Sequence, residues 1–306
     1  MTRVVTVTLN PALDITYAVP ALAVGSSVRV EAVRSRAGGK GVNVASVVRQ
    51  LGGDAIVVAP AASAEPDPFR EGLDSLGLAH HLVPAFATVR RTVAVVGADG
   101  PTTILLEPGS PAPQGTAAAV EGVITEELAG ADALVVSGSV PPGLTADLPA
   151  RLARLARERD IPAVVDVSGP ALRAAVGSGA VLVPNRDELA DIWGPVHDVV
   201  ACGRQLLQQG ASAVVVTLGE DGAVAVTAGG AWHARAAEVV DGNPTGAGDA
   251  ATAALALSLA AGTPWPAALA DAVATSAACV LRPVAGEIDL EARRRWLGTI
   301  TVEELP

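Results

Sequence analysis

The alternation of short, almost wholly apolar runs with helix-periodic stretches most limits what this chain can fold into. Runs at residues 4–9, 55–59, 133–137, 163–167, 181–183 and 213–218 are mostly Val, Ala, Leu and Ile, and helical spacing fills 42–51, 147–159 and 199–209. Apolar strands of this kind are buried on both faces, the condition of a parallel sheet covered by helices. The rhythm therefore predicts an α/β fold with a mostly parallel central sheet. Two stretches break it. Residues 15–36 and 88–107 read as extended segments, the second as a hairpin around Asp99 and Gly100, and together they predict a small β lid. A further hairpin is expected over 222–236, turning at Gly229 and Gly230, with Pro/Ala-rich loops at 59–68 and 108–115. No repeat or linker divides the 306 residues, so one domain spanning 1–306 is expected.

Aromatic residues make up 2% of the chain, so alanine and valine must fill most of the core. The net charge of −11 comes without any basic stripe, which argues against nucleic-acid binding. Two cysteines, Cys202 and Cys279, suggest neither a disulfide framework nor a zinc site. The apolar run at 250–262 contains Thr and Ser and breaks at Gly-Thr-Pro, as a core helix does and a membrane span does not. The N-terminus leads directly into a strand, so a cytoplasmic location is expected.

An acidic protein that binds an anion must place its few cations with care, and three glycine-rich segments are candidate sites. In "GNPTGAGDAA", residues 242–251, the backbone N–H groups of Gly246, Ala247 and Gly248 open a helix and can hold a phosphoryl group. Asp249 follows them and can take a proton from an attacking hydroxyl while those N–H groups stabilise the developing charge. The plain alternative is an acid that favours the helix dipole, which explains Asp249 but not the glycines. "GAGDAA" also matches a dinucleotide fingerprint, but a second helix follows where a strand is required, and Asp249 would repel a pyrophosphate. In "AGGKGVNVA", residues 37–45, Lys40 is the chain's one lysine against 20 arginines. A compact ammonium suits a phosphate in a tight glycine loop. "TLGEDGA", residues 217–223, lies at a strand end where open α/β sheets bind ligands. "VPNRDEL", residues 183–189, offers Asn185 and Glu188 either to Mg²⁺ waters or to a helix cap, and capping is the simpler reading.

These segments together resemble the PfkB (ribokinase-like) carbohydrate kinases. "TLNPALD" at 8–14, "SGSVPPG" at 137–143, "DVSGPAL" at 166–172, "PNRDEL" and "TLGEDG" fall in family order across nearly the whole chain. "TLNPALD" with a lysine in the glycine loop is most similar to the 1-phosphofructokinase and tagatose-6-phosphate kinase branch. The resemblance implies a ribokinase-like fold, with helices on both faces of the sheet, and a kinase using ATP and Mg²⁺. It implies Asp249 as catalytic base and Gly246, Ala247 and Gly248 as anion hole. Asp14, Gly39 and Asn43 would hold sugar hydroxyls, Lys40 and Arg90 the phosphate already on the substrate, and Ser137 would lie near it. Thr217, Gly219 and Gly222 would contact ATP, with Asn185 and Glu188 near Mg²⁺, Glu188 through water. The lid would also form a homodimer interface.

Three positions depart from the family pattern. Val183 stands where many relatives carry lysine, "APAASAEPDPF" replaces a Gly-Gly-x-x-Gly loop, and Asn243 replaces an aspartate found at a K⁺ site in some relatives. The expected reaction converts fructose 1-phosphate to fructose 1,6-bisphosphate, with tagatose 6-phosphate or fructose 6-phosphate as alternative acceptors. From other classes, a non-catalytic sugar-phosphate sensor would have no use for Asp249, and a nicotinamide oxidoreductase lacks its βαβ unit.

Overall fold

The computed structural model describes residues 1–97, 102–236 and 238–306. Its strands are β1 (Arg3–Val7), β2 (Ala12–Val19), β3 (Ala32–Gly38), β4 (Asp54–Ala62), β5 (Ala79–Phe86), β6 (Arg90–Gly97) and β7 (Thr103–Leu106). They continue as β8 (Ala133–Ser137), β9 (Ala163–Asp166), β10 (Val181–Leu182), β11 (Ala213–Thr217), β12 (Ala223–Thr227), β13 (Gly230–Arg235) and β14 (Thr301–Leu305). One sheet runs β14-β13-β12-β11-β10-β9-β8-β1-β4-β5, parallel from β11 to β5 and antiparallel from β11 to β14.

Why these runs form strands is visible in where their side chains go. Val135, Val164 and Val215 join helices Lys40–Gln50, Ala247–Ala260 and Trp265–Val280 in one core. Their neighbours Val136, Val165 and Val216 join helices Thr116–Glu127, Leu148–Arg157 and Val199–Gln208 in another. Both faces are dry, so the sequence shows no polar alternation. The mostly parallel α/β architecture with helices on both faces is as the rhythm predicts.

The second sheet has order β3-β2-β6-β7 and draws on the two stretches that broke the rhythm. The turn expected at Asp99 and Gly100 lies outside the described residues. Residues 59–68 are not wholly a loop. β4 continues to Ala62, and Pro60 is tolerated there because β1 pairs with β4 only as far as Val58. Asp67 then caps helix Pro68–Ser75, its carboxylate accepting from the Phe69 N–H, with Pro68 at the first turn. Among the described residues no helix is long and apolar enough to cross a membrane.

Candidate active site

"AGGKGVNVA" follows β3 of the second sheet, while "TLNPALD", "SGSVPPG", "DVSGPAL", "VPNRDEL" and "TLGEDGA" lie at the C-terminal ends of β1, β8, β9, β10 and β11, the edge where open α/β sheets carry ligands. Helix Ala247–Ala260 begins there behind Gly246, whose φ of 87° places it in the left-handed region. A Cβ on Gly246 would also come within 2.7 Å of the Ala285 Cβ, so backbone and packing both require glycine. Gly248 differs. A Cβ there would meet no protein atom within 4 Å, so protein packing does not require glycine.

Asp249 follows Gly248 in the first helical turn and is 4% exposed. Its Oδ2 accepts a hydrogen bond from Asn43 Nδ2 at 2.9 Å. Burial drives the carboxyl pKa upward, Lys40 opposes this, the Asp166 charge adds to it, and the Asn43 bond opposes it. The result is pushed up to about 7.

Lys40 opens helix Lys40–Gln50, and its Nζ donates to Asp166 Oδ1 at 2.7 Å. Burial resists the ammonium, but the charges of Asp166, Asp249 and Glu188 outweigh it and hold the group protonated. Ser137, only 1% exposed, donates from Oγ to Asp166 Oδ2 at 3.1 Å. The Ser137 hydroxyl is thus committed to the partner of Lys40. Asp166 opens "DVSGPAL", a segment in which the sequence alone gives it no role. Its signal was a charge ending the buried run "AVVD" on the ligand edge of the sheet.

On the second sheet, Asp14 of β2 pairs across to Arg36 of β3 and Thr92 of β6. Burial pushes its carboxyl pKa up, against the pull of Arg36, Arg90, Thr92 and the Gly39 N–H. Arg90 donates from Nε to the Asn10 carbonyl at 3.2 Å and from Nη1 to the Glu107 carbonyl at 2.9 Å. The positive groups therefore fall into two sets. Lys40 lies among Asp166, Asp249 and Glu188, whereas Arg36 and Arg90 flank Asp14.

A cavity of about 550 Å³ runs alongside, within the size range of small-molecule sites. Asn185, Thr217, Gly219, Gly222, Ala247 and Gly248 line it together, and Val215, Ala223 and Val273 give it an apolar wall. Asn185 and Glu188 form the capping box that the sequence favoured: Asn185 Oδ1 accepts from the Glu188 N–H at 2.8 Å, and Glu188 Oε2 from the Asn185 N–H at 2.9 Å. Val183 is 4% exposed and packs in the core, so no cation stands at that position of the nucleotide motif. Asn243 accepts from the Thr245 N–H and donates to the Pro283 carbonyl.

Among the described residues no cluster of three or more His, Cys, Asp or Glu could hold a metal by itself. Mg²⁺ binds through one or two carboxylates plus substrate phosphates and keeps several waters. Burial raises the Glu188 pKa, the Asn185 N–H and Lys40 oppose this, and Asp166 and Asp191 add to it. An acid in that setting gains from a nearby divalent cation, so the residues present fit the ion.

The family profile of the pfkB family carbohydrate kinases matches residues 5–293. The chain is 32% identical over 269 residues to the ATP-dependent 6-phosphofructokinase isozyme 2 of Mycobacterium tuberculosis, covering 85% of this chain and 78% of that one. It is 32% identical over 256 residues to the 1-phosphofructokinase of Escherichia coli, covering 81% of each. Phosphofructokinase-2 of Escherichia coli, solved in complex with potassium, superposes with a TM-score of 0.91 at 28% identity, over 98% of this chain and 99% of that one. It has also been solved in complex with fructose-6-phosphate. Glycine N–H groups at a helix start, a buried carboxylate beside them and a lysine held among carboxylates are the parts that phosphoryl transfer needs. The chain belongs to the pfkB family of carbohydrate kinases, with the ribokinase-like fold, and is a sugar phosphotransferase.

Proposed function

We propose that the protein transfers the γ-phosphoryl group of ATP to a hydroxyl of a ketohexose phosphate, with fructose 1-phosphate as the preferred acceptor and fructose 1,6-bisphosphate as product. The observation that carries this reading is the buried Asp249, beside the glycine helix start and the 550 Å³ cavity, within electrostatic reach of both Lys40 and Asp14. The similarity of "TLNPALD" and the glycine loop to the 1-phosphofructokinase branch supports fructose 1-phosphate. Fructose 6-phosphate and tagatose 6-phosphate are the competing acceptors.

The base of ATP lies against the apolar wall, and its phosphates run past Thr217, Gly219 and Gly222 towards the helix start. The N–H groups of Gly246 and Gly248 meet the phosphoryl group in transfer, whereas the Ala247 N–H, expected to join them, donates to the Pro244 carbonyl at 3.1 Å and closes the turn. Asp249 accepts the proton of the attacking hydroxyl, and Asn43 fixes its carboxylate. Asp14 and Gly39 orient the sugar, and Arg90 holds its resident phosphate. Lys40, steadied by Asp166, neutralises charge on the phosphoryl in transfer instead of reading the resident phosphate. Glu188 would hold Mg²⁺ through water, and the ion would supply charge neutralisation at the ATP phosphate oxygens.

Gly248→Ala separates catalysis from folding. Alanine should leave the melting temperature unchanged or raise it, because alanine is favoured over glycine in a helix by up to about 1 kcal/mol. Activity should fall at least tenfold as the methyl group blocks phosphate approach, an effect of about 1.4 kcal/mol or more. Equal activity in the two proteins would mean that no phosphate approaches this turn.

Asp249 must be ionised to accept a proton. The value of kcat/KM should therefore rise with pH through an apparent pKa near 7, well above an ordinary carboxylate. Asn43→Ala removes an opposing hydrogen bond and should move that limb to higher pH. A limb that stays in place would detach Asn43 from the base.

Cytoplasmic homodimers paired through the second sheet go with this reading, supported by Val33 and Leu105, 63% and 57% exposed on that sheet. An ADP-release assay across fructose 1-phosphate, fructose 6-phosphate, tagatose 6-phosphate and free fructose tests the substrate. The highest kcat/KM should fall on fructose 1-phosphate, and ADP release with none of the phosphorylated sugars would reject the reading.

A further inference from the structure

Arg36 has no role in the reading above, yet its setting is that of a binding group. It lies directly opposite Asp14 in the antiparallel β2–β3 pair, and Arg90 lies opposite Ala12, two residues back along β2. Directly opposed residues share a sheet face, and so do residues two apart along a strand. Arg36, Asp14 and Arg90 therefore stand on one face.

The Arg36 guanidinium is also poorly satisfied. Nη1 donates to the Ala285 carbonyl at 2.6 Å, whereas the buried Nε has no partner. Burial lowers the Arg36 pKa, with Asp14 and then Glu287 opposing. A guanidinium presents its donors in a rigid fork that matches phosphate oxygens, and a buried donor left unpaired is costly unless a ligand meets it. The Ala285–Gly286 backbone that Arg36 touches also packs on Asn43 and on Gly246. Arg36 thus lies between Asp14 and the backbone that packs on Asn43 and Gly246.

We propose that Arg36 is a specificity-determining residue that, with Arg90, clasps the phosphate already carried by the acceptor sugar. This rests on the ketohexose-phosphate reading of the same site. Two guanidinium groups flanking Asp14 let the sheet read a phosphate and a neighbouring hydroxyl together, and a free ketose offers only the hydroxyl.

Arg36→Gln tests this with the fold preserved, because its amide can still donate to the Ala285 carbonyl. KM for the ketohexose phosphate should rise about 10- to 100-fold, the effect of losing charge-assisted hydrogen bonds, with kcat and the KM for ATP within about twofold. The KM for free fructose should not move, and Arg36→Lys should recover part of the loss. Equal losses for phosphorylated and free sugar, or no change in either, would overturn the proposal and leave Arg36 as a tie between β3 and the 285–286 backbone. Inorganic phosphate, titrated by calorimetry into wild type and Arg36→Gln, tests the subsite without turnover. Heat of binding in the wild type that weakens in the variant supports it, and identical isotherms overturn it. Wild type that binds phosphate through Arg36 yet turns over no ketohexose phosphate would reject the functional reading while the subsite stands.

Discussion

Asp249→Asn should lower kcat by about 10²–10⁴-fold, the range for loss of a general base, while ATP binding stays near its wild-type value. The amide keeps the shape of the side chain and can still meet Asn43, but it cannot accept the proton of the attacking hydroxyl. Stability should move the other way. The carboxyl pKa is raised from 3.8 to about 7, so between those values the folded protein holds a proton that the unfolded chain has lost. Stability from this group is therefore present in full below pH 3.8 and is lost as pH rises through about 7. The asparagine variant lacks that loss, so above neutrality it should be more stable than the ligand-free wild type, by as much as a few kcal/mol. Chemical denaturation at pH 5 and pH 8 reads the difference. A variant with wild-type turnover, or one whose stability tracks the wild type at both pH values, would remove the charge on Asp249 from the account.

Lys40→Met should produce the second large loss. Its ammonium lies on Asp166 within reach of Asp249 and Glu188, so removing it takes positive charge from the place where phosphoryl transfer builds negative charge. Loss of one such group lowers kcat by about 10²–10³-fold. The loss should be similar for phosphorylated and free ketoses, in contrast to the KM effect expected at Arg36. The acid limb of the pH profile should also move upward, because Lys40 is the strongest of the groups that lower the Asp249 pKa. Arginine should not restore activity, since a planar fork does not replace a point charge in a glycine-walled loop. A KM increase confined to phosphorylated sugars would instead return Lys40 to the resident phosphate, as the resemblance alone implied.

The central sheet was legible because burial on both faces leaves strands with no polar alternation, as in "ALVVS" and "AVVVT". Its margins were not. β5, "AHHLVPAF", carries two histidines and a proline, and β14, "TVEEL", is mostly polar on one side. Edge strands tolerate such residues, so their composition does not separate them from loops. Within the site, glycine and lone-charge signals marked Gly246, Gly248, Asp249 and Lys40. Arg36 and Asp166 were missed because each acts through a partner distant in sequence. Arg36 gains meaning from its register against Asp14, and Asp166 from the Lys40 ammonium 126 residues away. Single-chain patterns carry local geometry well. They do not carry cross-strand register, which decides what faces the sugar.

The most direct test follows the phosphorus atoms themselves. Phosphorus NMR of the wild-type protein with Mg·ATP and fructose 1-phosphate should show ADP appearing in step with a sugar bisphosphate. The same mixture with Asp249→Asn should remain essentially unchanged over that time. ATP lost to free inorganic phosphate without a bisphosphate, or bisphosphate formed by the asparagine variant at the wild-type rate, would contradict transfer to a sugar phosphate through Asp249.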